Sequence, residues 1–100
     1  MIAHRVERAL VDTDVIVTAY DPARAGHHQA RALLESDPRD LIVATQSFRE
    51  FVDTGLASSQ PIHDAHLVAV ALEHRANAII TSNVRHFERF NAMIRVESLR

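Results

Sequence analysis

Short apolar runs alternating with helical periods predict an α/β fold: a three-layer α/β/α domain around a mostly parallel sheet of about four strands. The composition agrees with one such domain over residues 1–100, with 47 % apolar and 24 % charged residues and only 2 Gly and 3 Pro. A chain of this length buries only about 60 to 65 % of its unfolded surface, so its core is thin.

The elements follow in chain order. Ala9-Leu10-Val11, ahead of Asp12, is an apolar run ending in a polar cluster, the pattern of a buried parallel strand entering a loop; its start lies near Val6. Residues 14–20 read as strand by their β-branched run and as helix by the capping capacity of Asp14, and Asp21-Pro22 stops either. Ala25, Ala30, Ala32, Leu33 and Leu34 mark an amphipathic helix over 22–35, broken by Ser36-Asp37-Pro38. Leu41-Ile42-Val43-Ala44 is the second strand. Ser47 with Glu50 three residues later forms a capping-box pattern, opening a helix that runs to about Asp53 and stops at Gly55. Residues 55–61 are linker-like. A helix over 63–75 has an apolar face of Ala65, Val68, Ala69 and Leu72, with Asp64 in its first turn. Ala78-Ile79-Ile80 is the third strand; a helical turn over 86–90 leads to a last strand over 93–97.

Charge and composition exclude several classes. The cationic side chains are 11 Arg with no Lys, against 7 Asp and 6 Glu, a formal charge of −2, which argues against a strongly basic nucleic-acid coat protein. Guanidinium binds phosphate bidentately and stacks on bases, so nucleic acid stays open as a ligand; an Arg bias from codon usage accounts for the count equally well. Without Cys there are no disulfides, thiolate nucleophiles, zinc ribbons or iron–sulfur clusters. No apolar run approaches the roughly 18 to 20 residues that span a bilayer, and the start lacks a signal-peptide core, so the expected setting is cytoplasmic.

In parallel α/β sheets chemistry gathers at the carboxyl ends of the strands. Asp12 ends the first strand, Glu50 lies in the helix after the second, and Asp64 opens the helix before the third. Three carboxylates meeting at one sheet edge make an oxygen-only site suited to Mg²⁺ or Mn²⁺. Acids near helix N-termini also serve simply to complement the helix dipole.

Five strings in order, Leu10-Val11-Asp12-Thr13-Asp14-Val15, His27-His28 with Ala32-Leu33-Leu34-Glu35, Ser47-Phe48-Arg49-Glu50-Phe51, Ile62-His63-Asp64-Ala65-His66-Leu67 and Ile80-Thr81-Ser82-Asn83-Val84-Arg85-His86-Phe87, resemble a PIN domain of the VapC-like toxin family, from Leu10 to Arg95. The resemblance implies a metal-dependent ribonuclease of a toxin–antitoxin pair with RNA as substrate, an antitoxin protein as partner and a homodimer as an assembly. Asp12, Glu50 and Asp64 match the first three acids of the family's Mg²⁺ or Mn²⁺ site. Thr13, Asp14 and Asn83 are auxiliary: the Thr13 hydroxyl orients Asp12 or a water or equally caps a turn, Asp14 adds charge or caps a helix, and Asn83 offers an amide oxygen. Arg49, Arg85 and His86 are candidate RNA contacts, beside the ordinary reading of a solvated surface. Acids clustered this way repel without a cation, so added Mg²⁺ or Mn²⁺ should raise thermal stability.

Two departures from the family pattern stand out. The segment from Thr81 to Phe87 lacks the family's fourth acid, and Glu50 and Asp64 are only 14 residues apart where relatives place a helical pair. Both favour an alternative, a degenerate, non-catalytic PIN-like module that binds RNA or an antitoxin-like partner. A response-regulator-like domain also carries an acidic Mg²⁺ site but wants a late Lys, which this chain lacks. His63 and His66 could chelate a metal from one helix, though exposed helix His is the commoner state. Phe48, Phe51, Phe87 and Phe90 read as core.

Overall fold

The computed structural model describes residues 7–44 and 61–99. In order they form β1 (Arg8–Val11), α1 (Thr13–Tyr20), α2 (His27–Ser36), β2 (Asp40–Ile42), α3 (Pro61–Glu73), β3 (Ala78–Thr81), α4 (Val84–Phe87), a 3₁₀ turn (Glu88–Phe90) and β4 (Arg95–Ser98). The expected fold class is what the chain adopts: an α/β arrangement around a four-stranded sheet in the order β2-β1-β3-β4. Every pairing is parallel, with Leu10 opposite Ile42 on one side and Ile79 on the other.

The strands alternate between two apolar faces, because successive side chains in a strand point to opposite sides. Ala9, Val11, Ala78, Ile80 and Leu41 meet α1 and α2, which contribute Val15, Ile16, Ala19, Ala30 and Leu33. Leu10, Ile79, Ile42 and Val96 meet Leu67, Val68 and Ala71 of α3 and Phe87 of α4. Phe87 is buried and Phe90 packs at the margin of this second core, as expected of them.

The ambiguous 14–20 segment is a helix. Burial of Val15, Ile16 and Ala19 against Val11 outweighs the weak strand preference of the β-branched run, and the Thr18 hydroxyl donates back to the Asp14 carbonyl at 2.7 Å. The second helix begins later than its pattern suggests. Asp21 Oδ1 accepts the Ala23 N–H at 3.0 Å, so residues 21–26 form turns, and Gly26, at φ 86°, takes the left-handed position that starts α2 at His27. Ala25 and Ala32, expected on the apolar face, are exposed.

The face expected for the third helix is also corrected. Asp64, Leu67, Val68 and Ala71 point inward, whereas Ala65, Ala69 and Leu72 are exposed. Leu67 and Ala71 share the core with Val68 while Leu72 turns outward, so the buried stripe is rotated by about one residue from the predicted one. Pro61, expected to end the linker, is the first residue of α3, where its missing N–H costs nothing. The capping box at Ser47 and Glu50, the helix to Asp53, the stop at Gly55, and Phe48 and Phe51 lie outside the described residues. No helix among the described residues is long and apolar enough to cross a membrane.

The topology positions the site. From β1 the chain goes to β2 on one side through α1 and α2, then crosses to β3 on the other side through α3. The gap between the carboxyl ends of β1 and β3 is therefore the switch point of the sheet, where ligands of open α/β folds bind. At the opposite end the Asn77 N–H donates to the Arg8 carbonyl at 2.6 Å and the Arg8 guanidinium to the His74 carbonyl at 3.1 Å. The C-terminus of α3 thus sits at the amino end of the sheet. Its 13 residues, about 20 Å of helix, carry the first turn back to the carboxyl end.

Candidate functional site

Asp12 sits at the end of β1, where its N–H donates to the Ile80 carbonyl at 2.9 Å and extends the β1–β3 ladder by one step. Its extended backbone then serves as the N-cap position of α1, which puts Asp14 in the first helical turn rather than at the cap. Across the switch point β3 ends in Thr81, fully buried, followed by Ser82 and Asn83.

Hydrogen bonds join these residues. Thr81 Oγ1 donates to Asp12 Oδ2 at 2.8 Å and accepts the Asn83 N–H at 3.0 Å; Asn83 Nδ2 donates to Asp14 Oδ2 at 3.1 Å. Asp12 is 8 % and Asp14 6 % exposed. Among the described residues Asp14 Oδ1 is buried without a donor bonded to it. The two acids therefore share a buried site, with no Arg among their bonded neighbours in the described residues.

The electrostatic consequence falls on Asp12, whose pKa is pushed from 3.8 up to about 7. Burial is the main cause, because the charged form loses its hydration, and the neighbouring Asp14 adds like-charge repulsion and a shared proton. The Thr81 hydroxyl and the Thr13 N–H pull the other way by stabilising the carboxylate. A pair of acids that resists double ionisation, with a spare buried oxygen, accepts either one proton or a cation.

The sequence-expected residues divide into groups. Asp12, Asp14 and Asn83 come together with Thr81, a residue the sequence reading left out of the site. Its signal was present: a hydroxyl residue closing a buried strand two positions before Asn83. Thr13 reaches Asp12 through its N–H, and the hydroxyl expected from it is supplied by Thr81. Asn83 uses its amide NH₂ on Asp14, which leaves its carbonyl oxygen for another partner. Asp64 is 4 % exposed in the first turn of α3, at the same end of the sheet and on the sheet-facing side of its helix. Arg85 and His86 are exposed on α4, directly after Asn83. Glu50 and Arg49 lie outside the described residues. Of the His pair proposed as chelators, His66 is exposed.

The donors assembled here are all oxygens, the set that hard divalent cations select. The unpartnered Asp14 oxygen and the mutual repulsion of Asp12 and Asp14 fit such an ion chemically. Among the described residues no three His, Asp or Glu side chains group closely enough to hold a metal by themselves. No family model matches the chain, and neither a curated protein nor a solved structure matches it.

Proposed function

We propose that the protein is a Mg²⁺- or Mn²⁺-dependent ribonuclease of the PIN-like, VapC-like toxin class, hydrolysing RNA phosphodiester bonds and paired with an antitoxin protein. The observation that carries this reading is the Asp12–Asp14 pair, buried at the switch point with one oxygen unpartnered. The order of the five strings described above supports the same family. Asp12 and Asp14 would hold the cation, with Asp64 from α3 and, by the resemblance, Glu50.

A divalent cation in such a site offsets charge on the scissile phosphate and makes water a stronger nucleophile at neutral pH. The remaining work belongs to the chain. Thr81 fixes the Asp12 carboxylate by a direct hydrogen bond, and Asn83 fixes Asp14. The tight ladder contact between Asp12 and Ile80 keeps both strand ends at constant spacing. Exposed Arg85 and His86 beside Asn83 suit contact with the phosphate backbone, Arg by its bidentate donors.

The test is cleavage of single-stranded RNA by the purified protein in millimolar Mg²⁺ or Mn²⁺, with EDTA as control, and growth arrest on induced expression. Wild type should cut and arrest growth, and Asp12→Ala and Asp64→Ala should do neither. A wild type that cuts no RNA and is harmless would sink the enzymatic reading.

One observation favours a second reading. The segment from Thr81 to Phe87 carries no carboxylate, so a non-catalytic module that binds RNA or an antitoxin-like peptide is the alternative. It predicts RNA or peptide binding that is indifferent to EDTA and unchanged in Asp12→Ala.

A further inference from the structure

We propose that the outer edge of β4 is an interface between two copies of this chain, which pair antiparallel about Val96 so that Arg95 of each copy lies opposite Glu97 of the other. Nothing in this depends on the chemistry at the carboxyl end of the sheet; the backbone groups and charges of the edge carry it.

Among the described residues β4 closes one side of the sheet, with β3 on its inner flank. The Leu99 N–H donates inward to the Thr81 carbonyl at 3.0 Å. In a parallel strand the backbone groups of successive residues face alternate flanks, so Val96, three positions earlier, presents both its N–H and its carbonyl outward. Such an edge is a template for another strand, and proteins that keep their edges apart use Pro, bulges or unbalanced charge. β4, Arg95–Ser98, contains no Pro and pairs with β3 residue for residue, without a bulge. Its two charges sum to zero and already meet at 2.9 Å along the strand, so the edge does not repel a copy of itself.

The charge pattern selects both the partner and the register. A two-fold axis perpendicular to the sheet pairs β4 with itself antiparallel. Centred on Arg95 or on Glu97, the pairing would put like charges opposite one another; centred on Val96, it puts Arg95 opposite Glu97 on both sides of the axis. Val96 is also the residue whose backbone groups face outward, so the two copies exchange a pair of N–H···O bonds at the axis. Arg95 can serve both neighbours. Its side chain is 52 % exposed, and Glu97 and Glu7 take only two of the five guanidinium donors. The same register brings Met93 of one copy, 64 % exposed just ahead of β4, towards the half-buried Leu99 of the other, which places apolar surface at both ends of the pairing.

Sedimentation equilibrium of the full chain tests this. Pairing two short strands buries less than a standard interface, so wild type should be monomeric at about 1 µM and dimeric by about 100 µM. Arg95→Glu sets like charges opposite one another on both sides of the axis and should weaken dimerisation by about tenfold or more. Val96→Pro removes the outward N–H while leaving the bonds to β3, a substitution edge strands tolerate, and should weaken it by about tenfold. Circular dichroism identifies a variant that fails to fold; should Val96→Pro do so, Arg95→Glu, altered at an exposed side chain, decides. A wild type that stays monomeric at the higher concentration overturns the proposal and leaves the edge to a strand of another protein. A dimer that either folded variant retains at wild-type affinity overturns it as well, since the copies then meet elsewhere.

Discussion

The two ends of the sheet treat their acids in opposite ways. At the amino end and along the β4 side, acids meet Arg. Asp40 faces Arg8 at 3.4 Å, Glu7 faces Arg95 at 3.3 Å, and Arg39 bridges Asp37 at 2.9 Å and Glu97 at 2.8 Å. Arg39 holds the Asp37 carboxyl below its ordinary value. At the carboxyl end Asp12 and Asp14 meet each other, and Asp12 is pushed up to about 7. A hollow of about 810 Å³ opens at the amino end, lined by Arg8, Arg39, Asp40 and Arg75, yet its acids are already neutralised. Where each acid has an Arg its charge is satisfied internally; where two acids are left to each other, the pair takes up a proton or a cation.

The largest expected effect breaks the carboxyl end outright. On the proposed ribonuclease reading, Asp12→Asn should lower Mg²⁺-dependent RNA cleavage by about a thousandfold, as removal of a principal charged group from an active site does. Cleavage rates on a defined RNA check it, and activity within tenfold of wild type would remove Asp12 from the site.

Next comes the pH dependence of the metal-free protein. Asp12 has a native pKa of about 7 against 3.8 unfolded, so the native state binds the proton more tightly. Its contribution is fully present below about pH 4 and is lost as the pH rises through 7. Asp12→Asn does not titrate, so in EDTA its stability relative to wild type should rise across that window, by about 2 to 4 kcal/mol. Urea denaturation at both ends of the range measures this. A difference independent of pH would mean that Asp12 is not strained by its surroundings.

The Arg end should respond to an opposite change. Arg39→Met leaves Asp37 without its Arg partner while Glu97 keeps Arg95 at 2.9 Å, and should cost about 1 to 2 kcal/mol, between the values for surface and buried pairs. Thermal unfolding checks it, and high salt should reduce the loss. The smallest effect is a gain. Arg75 closes α3 with φ 58°, a conformation that suits glycine, so Arg75→Gly should stabilise by about 1 kcal/mol without changing metal binding.

Much of this fold was legible because its strands are short apolar runs and its helices carry recognisable stops. The four strands, the helix after Asp21-Pro22 and the turn near Phe87 follow from local patterns, and their bounds moved by a few residues. The face of α3 was not legible, since an alternation of Ala, Val and Leu is apolar nearly all round and only the space beneath Leu10 and Ile79 selects Leu67 over Ala65. The helical state of residues 14–20 was not legible either, because local propensity was nearly balanced.

For the site, the sequence alone determined the inventory: acids at strand ends and helix starts, no Lys and no Cys, and donors fit for a hard cation. That follows from residue chemistry and position within each element. Only the tertiary structure decided the company those residues keep. Thr81 and Asn83 lie 69 positions from the acids they hold, and it is the parallel pairing of β1 with β3 that brings them within hydrogen-bond reach. Burial, which raises the pKa of Asp12 and leaves Asp14 with an unpartnered oxygen, is likewise a property of packed neighbours that no local pattern encodes.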